Sequence, residues 1–255
     1  MLSLVSRLLQ RKGTLTWNEV ADRASLAQEI PSRFRFIYEW IRQDLDGLVV
    51  DVGCWSGNFA QAISAFTPFR YLGLDIAEAM LALKYGKDRT PFADFCITPS
   101  ALRLPLRSNT AALVVFSDVI EHLPRGEEPA ALKEIYRVLQ PSGALIMSTN
   151  LLSWLSPLDP AWLFGHRHYT QVKLNDMLIK AGFRDLEFRF VRGFWAAIDC
   201  NLMYFNKHVL GKGYARTPLI QTRTAREYDF ANKRGSSSTE IWCKCRKSIL
   251  SREED

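Results

Sequence analysis

From Leu48 to Ser148 the apolar positions switch repeatedly between two spacings, and the switching predicts the architecture. Leu48-Val49-Val50-Asp51-Val52 is a short apolar run ending at Gly53, as expected of a strand covered on both faces. Over 57–66 the apolar residues Phe59, Ala60, Ile63 and Phe66 fall at helical spacing instead. The exchange recurs, with strands at 71–74, 94–97, 113–116 and 144–148 and helices at 77–85 and 128–139. Strands separated by helices need crossovers, so the pattern predicts an α/β fold with a parallel sheet and right-handed connections.

Upstream, helices are predicted at 18–28 and 32–45, the second carrying Phe34, Ile37, Tyr38 and Ile41 just after Pro31. Downstream, an aromatic loop follows Asn150. A helix comes next over 171–181, with Thr170 as N-cap and Gly182 as its stop. Strands at 186–191 and 240–245 close the pattern, with a segment between them that no compact sheet requires.

Composition narrows the class. No apolar stretch approaches the roughly 18 residues of a membrane span, and charged residues make up 24% of the chain, which reads as a protein that does not cross a bilayer. Residues 1–13 mix leucines with Arg7, Arg11 and Lys12 and predict a short amphipathic helix rather than a signal peptide. Five scattered cysteines argue against a disulfide framework and for a cytoplasmic setting. Cys243 and Cys245 share one strand face as small core residues, and nothing is spaced to complete a metal site. The net charge of +6 is concentrated in 192–236, which holds eight Lys or Arg against three acids.

Two sites carry chemistry. Asp51-Val52-Gly53-Cys54-Trp55-Ser56-Gly57-Asn58-Phe59 is a strand, a glycine turn and a helix start, where backbone can approach a ligand and free N–H groups face it. Asp75 ends the next strand, Tyr71-Leu72-Gly73-Leu74, where a carboxylate can accept hydrogen bonds from both ribose hydroxyls or cap the following helix. Together they indicate adenosine binding.

With those residues in place, the chain resembles the class I S-adenosylmethionine-dependent methyltransferases, in particular the small-molecule type that includes the ubiquinone and menaquinone biosynthesis enzymes. The resemblance rests on Asp51 to Gly57, Gly73-Leu-Asp-Ile76, Ala101-Leu-Arg-Leu-Pro105, Phe116-Ser-Asp-Val-Ile-Glu-His-Leu-Pro124 and Arg137-Val-Leu-Gln-Pro-Ser-Gly143. It implies a Rossmann-like three-layer sandwich whose seven-stranded sheet is mostly parallel with the last strand antiparallel. It implies N-terminal helices over 1–45, a core of 46–191 and 237–247, and a basic, apolar cap inserted at 192–236. The cofactor implied is S-adenosyl-L-methionine. Asp51, Gly53, Cys54 and Gly57 would surround its amino-acid end, Asp75 its ribose and Ile76 its adenine. Ala101 and Leu102 would offer backbone groups to the adenine edge, and Ser117 would lie near the methionine moiety. Trp55 replaces the usual second glycine, which leaves the backbone path intact if the indole turns outward, and Ser100 replaces a common acid.

Methyl transfer is largely positional, so no triad or metal cluster is required. His122, His166 and His168 are the candidate bases, each with a purely structural alternative. The expected partner is a small-molecule or lipid-linked acceptor. A cofactor-binding scaffold without catalysis and a nucleic-acid methyltransferase are the rivals, the latter disfavoured because Ser117-Asp118-Val119-Ile120 stands where a base methyltransferase has its Pro-Pro-aromatic motif. Finally, Phe194, Ile198, Leu202, Phe205 and Val209 make one apolar stripe followed by Lys207, His208, Lys212 and Arg216. The stripe either packs on the sheet or lies against a membrane surface as part of the cap.

Overall fold

The computed structural model describes residues 32–248 except 56, 65–68, 79–92, 99 and 230–236. The helix expected at 18–28, the one at 1–13 and most of that at 77–85 lie outside the described residues. The described strands are β1 (Leu48–Val52), β2 (Arg70–Asp75), β3 (Ala93–Ile97), β4 (Ala111–Ser117), β5 (Leu139–Asn150), β6 (Phe183–Val191) and β7 (Glu240–Lys247). The described helices are α1 (Ser32–Ile41), α2 (Asn58–Ser64), α3 (Glu128–Val138), α4 (Gln171–Lys180), α5 (Phe194–His208) and α6 (Pro218–Asp229).

The strands form one sheet in the order β3-β2-β1-β4-β5-β7-β6. β1 to β5 run parallel, and β7 runs antiparallel to both β5 and β6. Val50 and Val52 of β1 face α3 and α4 through Leu132, Ile135, Leu174 and Leu178. Val49, on the other face, meets α1 and α2 through Ile37, Ile41, Phe59 and Ile63. Burial on both faces explains why the central strands read as continuous apolar runs rather than alternating ones. Chain order reverses between β1 and β4, and the carboxyl edge of the sheet at such a switch point is where open α/β sheets receive ligands.

Several boundaries move. The helix expected over 32–45 ends at Ile41 and continues as a 3-10 turn, Arg42–Asp44, because buried Asp44 is held by Lys244 and Arg246 of β7. β5 begins at Leu139 rather than 144, with an irregularity opposite β4 and Ser142 at φ 65°. β6 begins at Phe183 rather than 186, with a bulge between Arg184 and Glu187 that breaks its alternation. Thr170 does cap α4, its hydroxyl accepting the Lys173 N–H at 3.2 Å. Cys243 and Cys245 are buried in the same core cluster, and all five cysteines are free. No helix among the described residues is long and apolar enough to cross a membrane.

Candidate active site

The turn after β1 is built around a close approach. Gly53 has φ 80°, its N–H donates to Leu74 O at 2.7 Å, and a Cβ there would lie 2.3 Å from Val119 Cγ2. Only glycine fits, for steric and conformational reasons together. Gly57 is also left-handed, at φ 70°, and so is Trp55, at φ 53°. The backbone therefore keeps the path a glycine would take at position 55, at a cost of roughly 1–2 kcal/mol for a residue with a Cβ.

That path has a purpose. The Trp55 N–H donates to Asp75 Oδ2 at 2.6 Å, and the Ala77 N–H donates to Asp75 Oδ1 at 2.8 Å. Asp75 is thus the clasp that joins the turn after β1 to the chain leaving β2. Each of its oxygens keeps a second lone pair, so the carboxylate can still accept two hydroxyls. Ile76 beside it is 68% exposed, an apolar surface next to a carboxylate, as a flat base on a ribose would need.

The remaining expected residues divide. Asp51 is buried and accepts the Tyr71 hydroxyl at 2.7 Å; burial raises its pKa to about 7. The Cys54 side chain sits in the core with Phe59 and Tyr71, so its backbone is what it can offer a ligand, and burial pushes its thiol pKa far up. The Leu102 N–H is taken by Ser100 Oγ at 3.0 Å, so Ser100 arranges the turn at 100–102, and Ala101 is half-buried within it. Leu104 is buried, in keeping with a structural part.

Ser117, at the carboxyl end of β4, bonds Ser148 Oγ at 2.9 Å and also receives Arg33 from α1. Arg33 is the residue that sequence reasoning missed. Its Nη2 donates to Asp118 Oδ2 at 2.7 Å and Ser148 Oγ at 3.3 Å, and its guanidinium lies 5.1 Å from the Trp242 ring centroid. Burial opposes its charge, but Asp118 and Glu240 outweigh that and hold it charged. Nothing in a lone arginine 84 residues from its partner signals this contact.

The three histidines separate. His168 is committed to structure: its Nε2 pairs with Asp159 Oδ2 at 2.8 Å and its ring stacks on Trp162 at 4.3 Å. His122 and His166 meet edge to face at 4.5 Å in the wall of a cavity of about 320 Å³ that Glu121, Arg125 and Arg167 also line. Burial lowers both pKa values; Arg167 adds to the effect at His122 against Asp118, and His122 adds to it at His166. Both imidazoles are therefore neutral near pH 7 and able to accept a proton. Glu121 is buried, accepts the Thr149 hydroxyl at 2.9 Å, and has its pKa raised to about 8 by burial and by Asp118.

The glycine turn and the acid lie at the carboxyl ends of the adjacent strands β1 and β2. Residues 50–147 match a methyltransferase domain. The chain is similar to an uncharacterized methyltransferase of Schizosaccharomyces pombe, 30% identical over 52% of this chain and 51% of that one. It is similar to the ubiquinone biosynthesis O-methyltransferase of Leptothrix cholodnii, at 29% identity over 52% of this chain and 57% of that one. The chain spans about half the length of the curated relatives it matches. Among solved structures it shares the fold of a SAM-dependent methyltransferase from Archaeoglobus fulgidus, with a TM-score of 0.58 and 16% identity over 84% and 94% of the two chains. It also shares the fold of the cyclase SpnF, with a TM-score of 0.59 and 17% identity over 98% and 94%. The methyltransferase domain implies S-adenosylmethionine as its cofactor, and the residues fit that group: space that a Cβ at Gly53 would fill, and a carboxylate with acceptor capacity left at the end of β2.

Proposed function

We propose that this chain transfers a methyl group from S-adenosylmethionine to a small-molecule or lipid-linked acceptor. The observation that carries the reading is the Asp75 clasp, which sets a carboxylate beside the Gly53 turn at the switch point of the sheet. The bound cofactor supplies an already activated methyl group. Asp75 would receive its ribose hydroxyls, Ile76 would cover the adenine, and the turn at Ala101 and Leu102 would border the adenine edge. Asp51, Gly53, Cys54 and Gly57 would enclose the amino-acid end, with Ser117 and Arg33 nearby. His122 or His166 would take the proton that a hydroxyl or amine acceptor loses, since both are neutral and line one cavity.

The segment 192–236 is the cap in this reading. Val191 pairs with Glu240, which in turn pairs with Asn150 at the end of β5, so α5 leaves the sheet at the edge that carries Ser117 and the turn after β1. Isothermal titration of S-adenosylhomocysteine, followed by an assay for its release from S-adenosylmethionine over a panel of phenolic, amine and carboxylate acceptors, tests the proposal. A second reading, cofactor binding without methyl transfer, is favoured by one observation: Trp55, with its bulky side chain, holds the left-handed turn position after β1. Tight binding with no S-adenosylhomocysteine formed from any acceptor supports that second reading.

A further inference from the structure

Helix α5 is built inside out. Its buried arc consists of Ala196, Ala197 and Asp199, whereas Phe194, Leu202 and Phe205, together on the opposite arc, are 53%, 39% and 51% exposed. A helix that serves a core does the reverse. The chain after β5 extends the same apolar surface with Trp154, Leu158 and Trp162, which are also exposed. The two stretches are joined: Asn201 Nδ2 of α5 donates to Leu158 O at 2.7 Å. The Trp162 Nε1–H is satisfied by Ser156 O at 2.8 Å while nearly half of the residue remains open, an amphipathic ring of the kind enriched at water–lipid boundaries.

Charge around this surface is sorted by sign. Of the two acids between 194 and 228, Asp199 is buried and bonded to Arg216 and Tyr214. The other, Glu227, accepts the N–H groups of Gly193, Trp195 and Ala196 at 2.8–3.0 Å and so caps α5 from α6. Asp199 and Glu227 are thus used internally, and the third acid of the segment, Asp229, ends α6. Lys212, Arg223 and Arg226 are exposed cations of the same stretch, and the Arg223 guanidinium lies 5.5 Å from the Trp195 ring centroid of α5. A symmetric contact with a second copy would set these cations against their own equivalents, which is unfavourable.

We infer that α5 and the 152–162 segment form one docking face for an anionic lipid surface, with the aromatic and aliphatic residues entering the interface and the cations meeting headgroups. The face borders the acceptor side of the sheet. It would bring a lipid-linked acceptor to the proposed active site, and in that respect it rests on the methyl-transfer reading. Lipid attachment itself is independent of catalysis, so the two can fail separately.

The test is sedimentation of the intact chain with vesicles of phosphatidylcholine alone or of equimolar phosphatidylcholine and phosphatidylglycerol, at low and moderate salt. The expected result is pelleting with the anionic vesicles only, weakening as salt shortens the Debye length. Phe205→Glu, at an exposed position, should keep the circular dichroism and melting curve of the parent and lower the lipid partition about tenfold or more. Lys212→Ala should lower it about fivefold. Protein left in the supernatant with anionic vesicles at low salt overturns the inference. Undiminished binding by Phe205→Glu also overturns it, as does a dimer in light scattering that Phe205→Glu dissociates without any lipid binding by the parent.

Discussion

Helices α1 and α5 carry apolar residues at the same helical spacing and use them oppositely. α1 turns Ile37, Trp40 and Ile41 into the core and leaves its polar positions to reach the sheet edge, where Arg33 meets Asp118. α5 buries two alanines and an aspartate and turns its phenylalanines outward. A stripe on a helical wheel therefore specifies that one face is covered by something; whether that is the protein's own sheet depends on what else reaches the position.

The contrast can be broken at its strongest point by truncating each stripe. Ile41→Ala is expected to cost about 2–5 kcal/mol in chemical denaturation, since it opens a cavity under β1 and β4. Phe205→Ala in α5 should stay within about 0.5 kcal/mol, as a half-exposed surface position does. Equal losses at the two sites would refute the assignment of opposite faces.

The next largest effect lies at the proposed cofactor site, at the sheet edge that α1 also reaches. Asp75→Ala should weaken S-adenosylhomocysteine by about 2–4 kcal/mol in titration calorimetry, the sum of two charge-assisted hydrogen bonds and the lost clasp on the Trp55 and Ala77 amides. Unchanged affinity in a folded variant would remove Asp75 from the site.

The interior under that edge also predicts a pH response. Asp51 is protonated more readily in the folded chain than in the unfolded one, where a carboxyl titrates near 4. Its contribution is fully present below the unfolded pKa and is lost as pH rises through the folded value of about 7. Asp51→Asn, which keeps an acceptor for the Tyr71 hydroxyl, should flatten the fall in melting temperature between pH 5 and 8 by the equivalent of about 1 kcal/mol or more. A wild-type melting temperature that rises over that range would contradict it. The smallest effect expected is that of Trp55→Gly, which relieves a left-handed Trp and should stabilise the fold by about 1 kcal/mol while changing cofactor affinity less than about tenfold. A far larger gain in affinity would mean that the indole blocks the methionine end.

Much of the core was legible because its physics is local. Val49, Val50 and Val52 are buried on both faces, and such strands are written as unbroken apolar runs whatever surrounds them. The Gly53 turn and Asp75 were legible for a similar reason: steric demands at a strand-to-helix turn and the end of the next strand fall at set spacings. The first residues of β6 are not legible in the sequence because a bulge at Asp185, φ 55°, interrupts its alternation. The early start of β5 was hidden in the polar stretch Gln140 to Gly143. Of the histidines, only packing could distinguish His168, spent on Asp159 and Trp162, from the facing pair His122 and His166.

The sequence by itself determined the alternating α/β pattern, the glycine turn, the acid that follows it and the existence of an apolar stripe over 194–209, because each depends on neighbours within a turn or a strand. Only the tertiary structure decided that Arg33 crosses 84 residues to hold Ser117 and Asp118, that Glu227 caps α5 and that the stripe faces outward. Those are outcomes of competition for the same sheet edge between segments distant in the chain, and no local spacing records which of them arrives.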